Sequence, residues 1–452
     1  MISAGRLRWV SLWLAMIACG GCARSGRSSN NAEAVTPRMS VRMADSTIAR
    51  HPNPAVMEDP EPEWRYSSSF AVHAIARLGV ERGEQRYIDY ARKYADAFID
   101  AEGNIVTETY DPKKYRLDDV VPGRVLLLLH HQTGDGRYLK GTHALAEQLK
   151  SQPRTSDGGY WHKLIYPHQL WLDGIFMDCP FMTEYGQRVN EPAWHDEAVK
   201  QILTIAKHTR DAKTGLYYHG WDESRKEKWA DPQTGRSKNF WGRALGWYAL
   251  GIVETLRTLP AHHPQREDVL KTFRKLAEAI ARVQDEKTGL WWQVLDQPNR
   301  AGNYLESSAS SMFVYALAAG ARLGYLDRKY AAVARRGYVG MLEHFIEDDA
   351  ATGHVSLKDT CQVAGLGGHP YRDGSYEYYI REPRISNDPK GVAPFILAAM
   401  EMEGPLSAGN SKMQNPNPTY GSPRIHAELA EQEIDVCVNT VAKLMKQARF
   451  AR

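Results

Sequence analysis

An all-α protein, an (α/α)6 barrel of six helical hairpins, is expected from three features of the sequence. Apolar residues recur at three- and four-residue spacing along most of the chain, as in Val269, Phe273, Leu276, Ala277 and Ile280. Strictly alternating segments are few and short. A turn followed by aromatics also recurs: Asp211-Ala-Lys-Thr-Gly-Leu-Tyr-Tyr218 and Asp285-Glu-Lys-Thr-Gly-Leu-Trp-Trp292 are near copies, 74 residues apart. Asp157-Gly-Gly-Tyr-Trp161 and Asp349-Ala-Ala-Thr-Gly-His354 are weaker echoes. Gly supplies the left-handed backbone angle of such a turn, and recurrence at this period marks a repeated helix pair. An open solenoid is the alternative. A closed ring is favoured because the candidate functional residues gather in the long loops.

The chain begins with Arg6 and Arg8, an apolar run Trp9–Ala18, then Cys19-Gly-Gly-Cys22. This reads as a lipoprotein-type secretory signal over 1–22, too short to span a bilayer as a stable helix. Either Cys19 or Cys22 fits as the lipidated residue, so an exported protein, periplasmic or lipid-anchored to a bacterial envelope, is expected. Residues 23–37 are small and polar, a flexible tether. The barrel occupies 38–404, with helices expected at 38–50, 66–81, 84–101, 118–134, 136–151, 171–188, 193–210, 240–258, 265–284, 306–324, 327–347 and 390–403. Residues 352–389 read as one long loop without a clear helix, rich in Gly and Tyr, and a loop of this length inside a compact domain usually has a function. It lacks the Gly-Lys-Ser/Thr of a phosphate loop and fits a pocket wall. Residues 405–452 form a Gly/Ser/Asn/Pro linker and an amphipathic helix near 424–449. Packing on the barrel, binding a partner and loose attachment all fit that helix.

Composition sets further bounds. A net charge of +3 gives no argument for nucleic acid. The remaining cysteines, Cys179, Cys361 and Cys437, imply no disulfide framework. The His pairs 130–131 and 262–263 lack metal-site spacing, and no metal or other cofactor is expected. The 12 Trp and 23 Tyr suit a ligand that is part C–H and part hydroxyl, such as a sugar.

The densest cluster is 160–186, which sets Trp161 and Trp171 beside His162, Lys163, His168, Asp173 and Asp178. Flat apolar walls with a few ionisable groups describe an enclosed polar-ligand pocket. Asp173, and Asp118 or Asp119, stand where a loop meets a helix. Each position suits an N-cap as well as one of a pair of carboxylates acting as acid and base. Arg243, between Trp241 and Trp247, suits either a structural ion pair or an anionic ligand group.

Several motifs together resemble a known family. Trp171-Leu-Asp-Gly-Ile-Phe-Met, His219-Gly-Trp-Asp-Glu-Ser, Phe240-Trp-Gly-Arg-Ala-Leu-Gly-Trp247, the run from Gly302 to Phe313, Gly365-Leu-Gly-Gly-His-Pro-Tyr-Arg-Asp-Gly-Ser-Tyr376 and Asn387-Asp-Pro-Lys-Gly391 resemble the unsaturated rhamnogalacturonyl hydrolases. These are glycoside hydrolase family 105, related to the unsaturated glucuronyl hydrolases of family 88. The resemblance spans about 38–404. It implies an (α/α)6 barrel that removes a 4,5-unsaturated uronic acid from the non-reducing end of lyase-generated oligosaccharides. By this resemblance Asp173 matches the catalytic acid and Asp118 the second active-site aspartate. His219, Trp241, Arg243, Trp247, Lys163, His162 and Tyr66 match sugar-pocket residues. The implied chemistry hydrates the ring's vinyl ether and needs an acid that is still protonated near neutral pH. Aromatic surroundings and a second carboxylate both disfavour the charged form. Two other readings are an ordinary acid/base (α/α)6 glycosidase and a surface lipoprotein that only captures oligosaccharides.

Overall fold

The computed structural model describes residues 38–404. The expected signal, tether and C-terminal extension lie outside these residues. Each of the twelve expected helices is present: α1 Met39–Arg50, α2 Tyr66–Arg82, α3 Gln85–Asp96, α4 Gly123–Thr133, α5 Gly136–Lys150, α6 Gly174–Val189, α7 Ala193–Thr209, α8 Gly242–Thr258, α9 Arg266–Arg282, α10 Ser307–Arg322, α11 Lys329–His344 and, after a further short helix, α13 Pro389–Glu403. Helices α2, α4, α6, α8, α10 and α13 each pack on the next, and α13 returns to α2, which closes the ring. Around them α3, α5, α7, α9 and α11 each pack on the preceding inner helix, and α1 packs on α13.

The two layers differ as their sequences require. Inner helices are apolar nearly all round; along α8 only Arg257 and Thr258 escape burial. The outer α9 buries one stripe, Val269, Phe273, Leu276, Ala277, Ala279 and Ile280, and leaves its charges in water. Gly251 lets α8 approach α6, since a Cβ there would lie 2.8 Å from the Ile175 backbone. The first and last helices are tied directly. Arg38 donates to the carbonyls of Glu403 (3.0 Å) and Gly404 (2.6 Å), and Ser40 Oγ donates to the Glu403 carboxylate.

The recurring turns share one construction. Asp211 accepts from Thr214 and the backbone closes at Gly215 (φ 76°); Asp285, Thr288 and Gly289 (φ 74°) repeat it, as do Asp349, Thr352 and Gly353 (φ 74°). Asp231-Pro-Gln-Thr-Gly235 is a further instance, with Gly235 at φ 77°.

The segment 352–389 is more ordered than its composition suggests. It holds β4 Val355–Leu357, paired with β3 Ile346–Asp348, and β5 Thr360–Cys361, paired with β6 Arg384–Ile385. It also holds the six-residue helix α12, Tyr376–Arg381. The Ser375 side chain accepts from Tyr378 N and so starts α12. Elements this short carry too few periods to register in a hydropathy pattern.

Candidate active site

The inner helices all begin at one end of the ring, and the candidate residues collect there. A two-strand ladder sets the central contact. β1 (Gln169–Trp171) pairs antiparallel with β2 (Gly220–Asp222), Trp171 opposite Gly220. The next bond, Leu172 N to His219 O at 3.0 Å, places Asp173 against the His219 side chain. Asp173 occupies the N-cap position of α6 but has helical angles (φ −54°, ψ −39°), and its side chain makes no capping bond. It is buried, with Oδ2 lacking a hydrogen-bond partner. That oxygen lies 3.2 Å from His219 Nε2, which also lacks one: the two atoms are close but out of line. Asp173 therefore does not serve as a cap, and its carboxylate is free to face a ligand.

Asp118 and Asp119 lie on a 3-10 turn, Leu117–Val120, and neither caps a helix. Their environments are opposite. Asp118 is ion-paired with Lys163 (Nζ–Oδ2 2.5 Å) and lies 3.5 Å from His162 Nε2. Burial works against its charge, but the Lys163 ammonium above all outweighs burial and holds the carboxyl below its ordinary value. Asp119 points away to Arg116 (2.8 Å), and burial pushes it up to about 7 despite that partner. Its carbonyl accepts from Trp64 Nε1. Asp118 therefore belongs to the pocket and Asp119 to its support.

His162 is within the electrostatic reach of both Asp118 and Asp173, and burial pushes its ring down to about 4, so it is neutral near pH 7. Its Nδ1 has no partner, and its ring stacks on Trp171 at 4.6 Å. Tyr166 also stacks on Trp171, at 4.8 Å, and Arg372 donates to the Tyr166 hydroxyl at 2.7 Å. His219 is fully buried between Trp171 and Trp241, with Nδ1 2.7 Å from the Tyr379 hydroxyl.

Arg243 is 1 % exposed and makes no direct salt bridge among the described residues; Glu306 acts on it at longer range through Ser308, whose Oγ is 3.5 Å from Nη1. The guanidinium is held by Cys361 O and by Trp241, whose ring centroid is 4.8 Å from Cζ. A buried, charged guanidinium without a direct salt bridge suits an anionic ligand group. The half-buried Tyr66 feels both ends of this array. Burial first and then Asp118 push its hydroxyl well above its usual range, while Arg243 opposes them. Trp247 stands behind, stacked on Phe176 at 4.8 Å and edge-on to Tyr66 at 6.3 Å. Trp241 and Trp247 are each 1 % exposed, so Trp247 acts as backing to the pocket more than as an open face.

The nine residues that the resemblance singles out thus fall in one constellation, whereas Asp178, expected in the pocket from its neighbours in sequence, is buried inside α6 away from it. Tyr379, Tyr166 and Arg372 join it without having been singled out by the sequence. Two cavities elsewhere, about 860 Å³ beside α10 and α11 and about 520 Å³ at the opposite end of the ring, touch neither Asp173 nor Asp118. Among the described residues no three His, Cys, Asp or Glu side chains cluster as a metal-binding group.

Residues 39–405 match the family model of Glycosyl Hydrolase Family 88. The chain belongs to glycosyl hydrolase family 88. Within this family group it is similar to a solved family 105 glycoside hydrolase from C. acetobutylicum ATCC 824. The two are 40% identical, with a TM-score of 0.78 over 81% of this chain and 99% of that one. It is 44% identical over 231 residues to Protein Atu3128 of Agrobacterium fabrum, covering 50% of this chain and 97% of that protein. It is also 27% identical over 299 residues to the unsaturated rhamnogalacturonyl hydrolase YesR of Bacillus subtilis, covering 65% of this chain and 79% of that protein. Residues 413–451, outside the described part, match the model of an HTH-like domain.

Proposed function

We propose that this family 88 hydrolase removes a 4,5-unsaturated uronic acid from the non-reducing end of lyase-generated oligosaccharides, with unsaturated galacturonyl-rhamnose from rhamnogalacturonan as the substrate. The observation that carries the proposal is the pair of buried, unpartnered atoms Asp173 Oδ2 and His219 Nε2, in a pocket that also holds an ionised Asp118 and an Arg243 without a direct salt bridge. The likeness to YesR supports the substrate class.

In this reading Asp173 donates its proton to C4 of the vinyl ether. Water adds its oxygen to C5 and returns a proton to Asp173, which restores the acid. The product at C5 is a hemiketal; it opens to a keto acid, and the hemiacetal left at C1 then releases the neighbouring sugar. Asp118, kept ionised by Lys163, orients substrate or water. Arg243 binds the uronate, Tyr66 flanks it, Trp241 holds the Arg243 guanidinium and Trp247 supports Tyr66. Asp173 thus protonates a carbon and not the bridging oxygen, which takes up the hemiacetal proton only when the C1–O bond breaks and C1 becomes an aldehyde. The lipoprotein-type start supports placing the enzyme outside the cytoplasm, where such fragments arise.

The test follows the ultraviolet absorbance of the unsaturated ring. Wild-type protein should bleach lyase-generated oligosaccharides, and Asp173→Asn should lower kcat about 1,000-fold, within the usual range for a lost acid/base group. Wild type that cleaves only saturated substrates would establish the ordinary glycosidase. Binding without turnover would establish the oligosaccharide-capturing protein.

A further inference from the structure

We infer that Tyr379 is a positioning residue that fixes His219 as its neutral, Nε2-protonated tautomer, so that the ring presents an N–H to Asp173. The inference rests on the proposed role of Asp173 as proton donor and assigns a part to a residue outside the sugar pocket's first rank.

Tyr379 lies on α12 and is fully buried. Among the described residues, the one hydrogen bond of its hydroxyl is to His219 Nδ1, at 2.7 Å. A buried hydroxyl proton needs an acceptor, and His219 Nδ1 is the one in contact. If Nδ1 carried a proton and donated instead, the tyrosine's own proton would be left without an acceptor in the interior. Burial holds the Tyr379 hydroxyl well above its ordinary range, so it keeps that proton at any working pH. Once Nδ1 accepts, the single proton of a neutral imidazole must sit on Nε2. That atom is the one 3.2 Å from Asp173 Oδ2.

Tyr379 itself is well fixed. Its carbonyl accepts from Gln293 Nε2 at 3.1 Å, its N–H donates to Ser375 O at 3.2 Å, and its ring stacks on Trp241 at 5.9 Å. The hydroxyl therefore has little freedom to turn elsewhere.

The tautomer matters because negative charge grows on the Asp173 carboxylate as its proton leaves for C4. An N–H that is out of line in the resting site needs only a small rotation to meet that charge as it forms. Stabilisation of this kind acts on the transition state more than on the ground state. A neutral donor also avoids the full positive charge that would draw the proton off Asp173 beforehand.

Full-length protein labelled with 15N-histidine tests this, with the His219 signals assigned by their absence in His219→Gln. Wild type should show an unprotonated Nδ1 and a protonated Nε2 across neutral pH. Tyr379→Phe should show a mixture of tautomers and about a ten-fold lower kcat, the effect of one lost hydrogen bond, with KM little changed. A protonated Nδ1 in wild type overturns the proposal, and that measurement stands even if Tyr379→Phe does not fold. Unchanged kcat in Tyr379→Phe also overturns it. Wild type with the expected tautomer but no turnover of unsaturated substrates would instead count against the role of Asp173, and with it the catalytic purpose of the lock.

Discussion

The ring carries a buried charged cluster at each end of its axis, and the two are finished differently. At the end opposite Asp173, Glu254 of α8 binds Arg77 of α2 (2.8 Å) and Arg124 of α4 (2.7 Å) and accepts from Tyr315 of α10. Arg124 also reaches Glu184 of α6 at 2.5 Å, and Arg257 of α8 lies between Glu254 (3.8 Å) and Glu401 of α13 (3.9 Å). All six inner helices contribute, and the central carboxylate is fully engaged. Burial opposes its charge, yet Arg77, Arg124 and Arg257 hold it well below its usual range. At the mouth, Asp173 Oδ2, His219 Nε2 and His162 Nδ1 are buried and unpartnered. Buried polar groups are ordinarily satisfied, and three open atoms in one cluster set the mouth apart from the central carboxylate of the far end. In the proposed reading the far end fastens the ring and the mouth keeps these atoms for a ligand.

That contrast predicts effects of different kinds. Glu254→Gln takes from Arg77 the carboxylate it is paired with and leaves Arg124 with Glu184 alone, and should cost about 3–5 kcal/mol of stability. A denaturant melt reads this, and kcat per folded molecule should be unchanged. A loss of kcat with full stability would erase the distinction between the two ends. At the mouth the outcome should be reversed. Arg243→Lys keeps the charge but loses the planar group that stacks on Trp241 while bonding Cys361 O. It should lower kcat/KM about 100-fold, or roughly 2.7 kcal/mol, with a smaller change in the melt. If instead the melt collapses and surviving molecules work normally, Arg243 is a structural fastener.

Much of this arrangement is visible in the sequence, for physical reasons that also set its limits. The twelve long helices are legible because each repeats its apolar period several times, and the ring because Asp-x-x-Thr-Gly turns recur between them. Helix ends were less legible: α4 begins at Gly123, after a separate 3-10 turn that carries Asp118 and Asp119. The residue pattern alone left both acids open and the family resemblance picked Asp118; the fold adds that Lys163 pairs with Asp118 and Arg116 with Asp119. Tyr379 was hidden for a similar reason. Tyr376, Tyr378 and Tyr379 read alike, yet Tyr376 donates to the carbonyls of Arg300 and Ala301, Tyr378 accepts from Gly365 N, and Tyr379 alone meets His219. Which hydroxyl turns inward depends on where the short helix α12 starts, and a six-residue helix leaves almost no periodic trace.

Helix α6 offers the finest test, because it passes from one cluster to the other. Asp173 precedes it at the mouth and Glu184 ends it in the far network. Asp178 lies between them, about 7.5 Å along the axis from Asp173. Asp178 is fully buried, its Oδ1 has no partner, and burial pushes its carboxyl up to about 7. It belongs to neither cluster, so its effect should appear in stability alone. Its folded-state value lies above the unfolded one, so between about pH 4 and pH 7 the native state binds more protons than the unfolded chain. The Asp178 contribution to stability should fall as pH rises through that window and level off above it. Asp119, also raised to about 7, adds a slope of the same sign and the buried His162, pushed down to about 4, one of opposite sign, so the comparison must be made against wild type. Asp178→Asn should shift the slope upward by up to about 1.4 kcal/mol per pH unit, which is the contribution of one proton. Denaturant melts across the window measure it. An unaltered slope would mean that Asp178 is satisfied in solution, and a changed pH–rate profile would mean that the mouth extends deeper into the ring than Asp173.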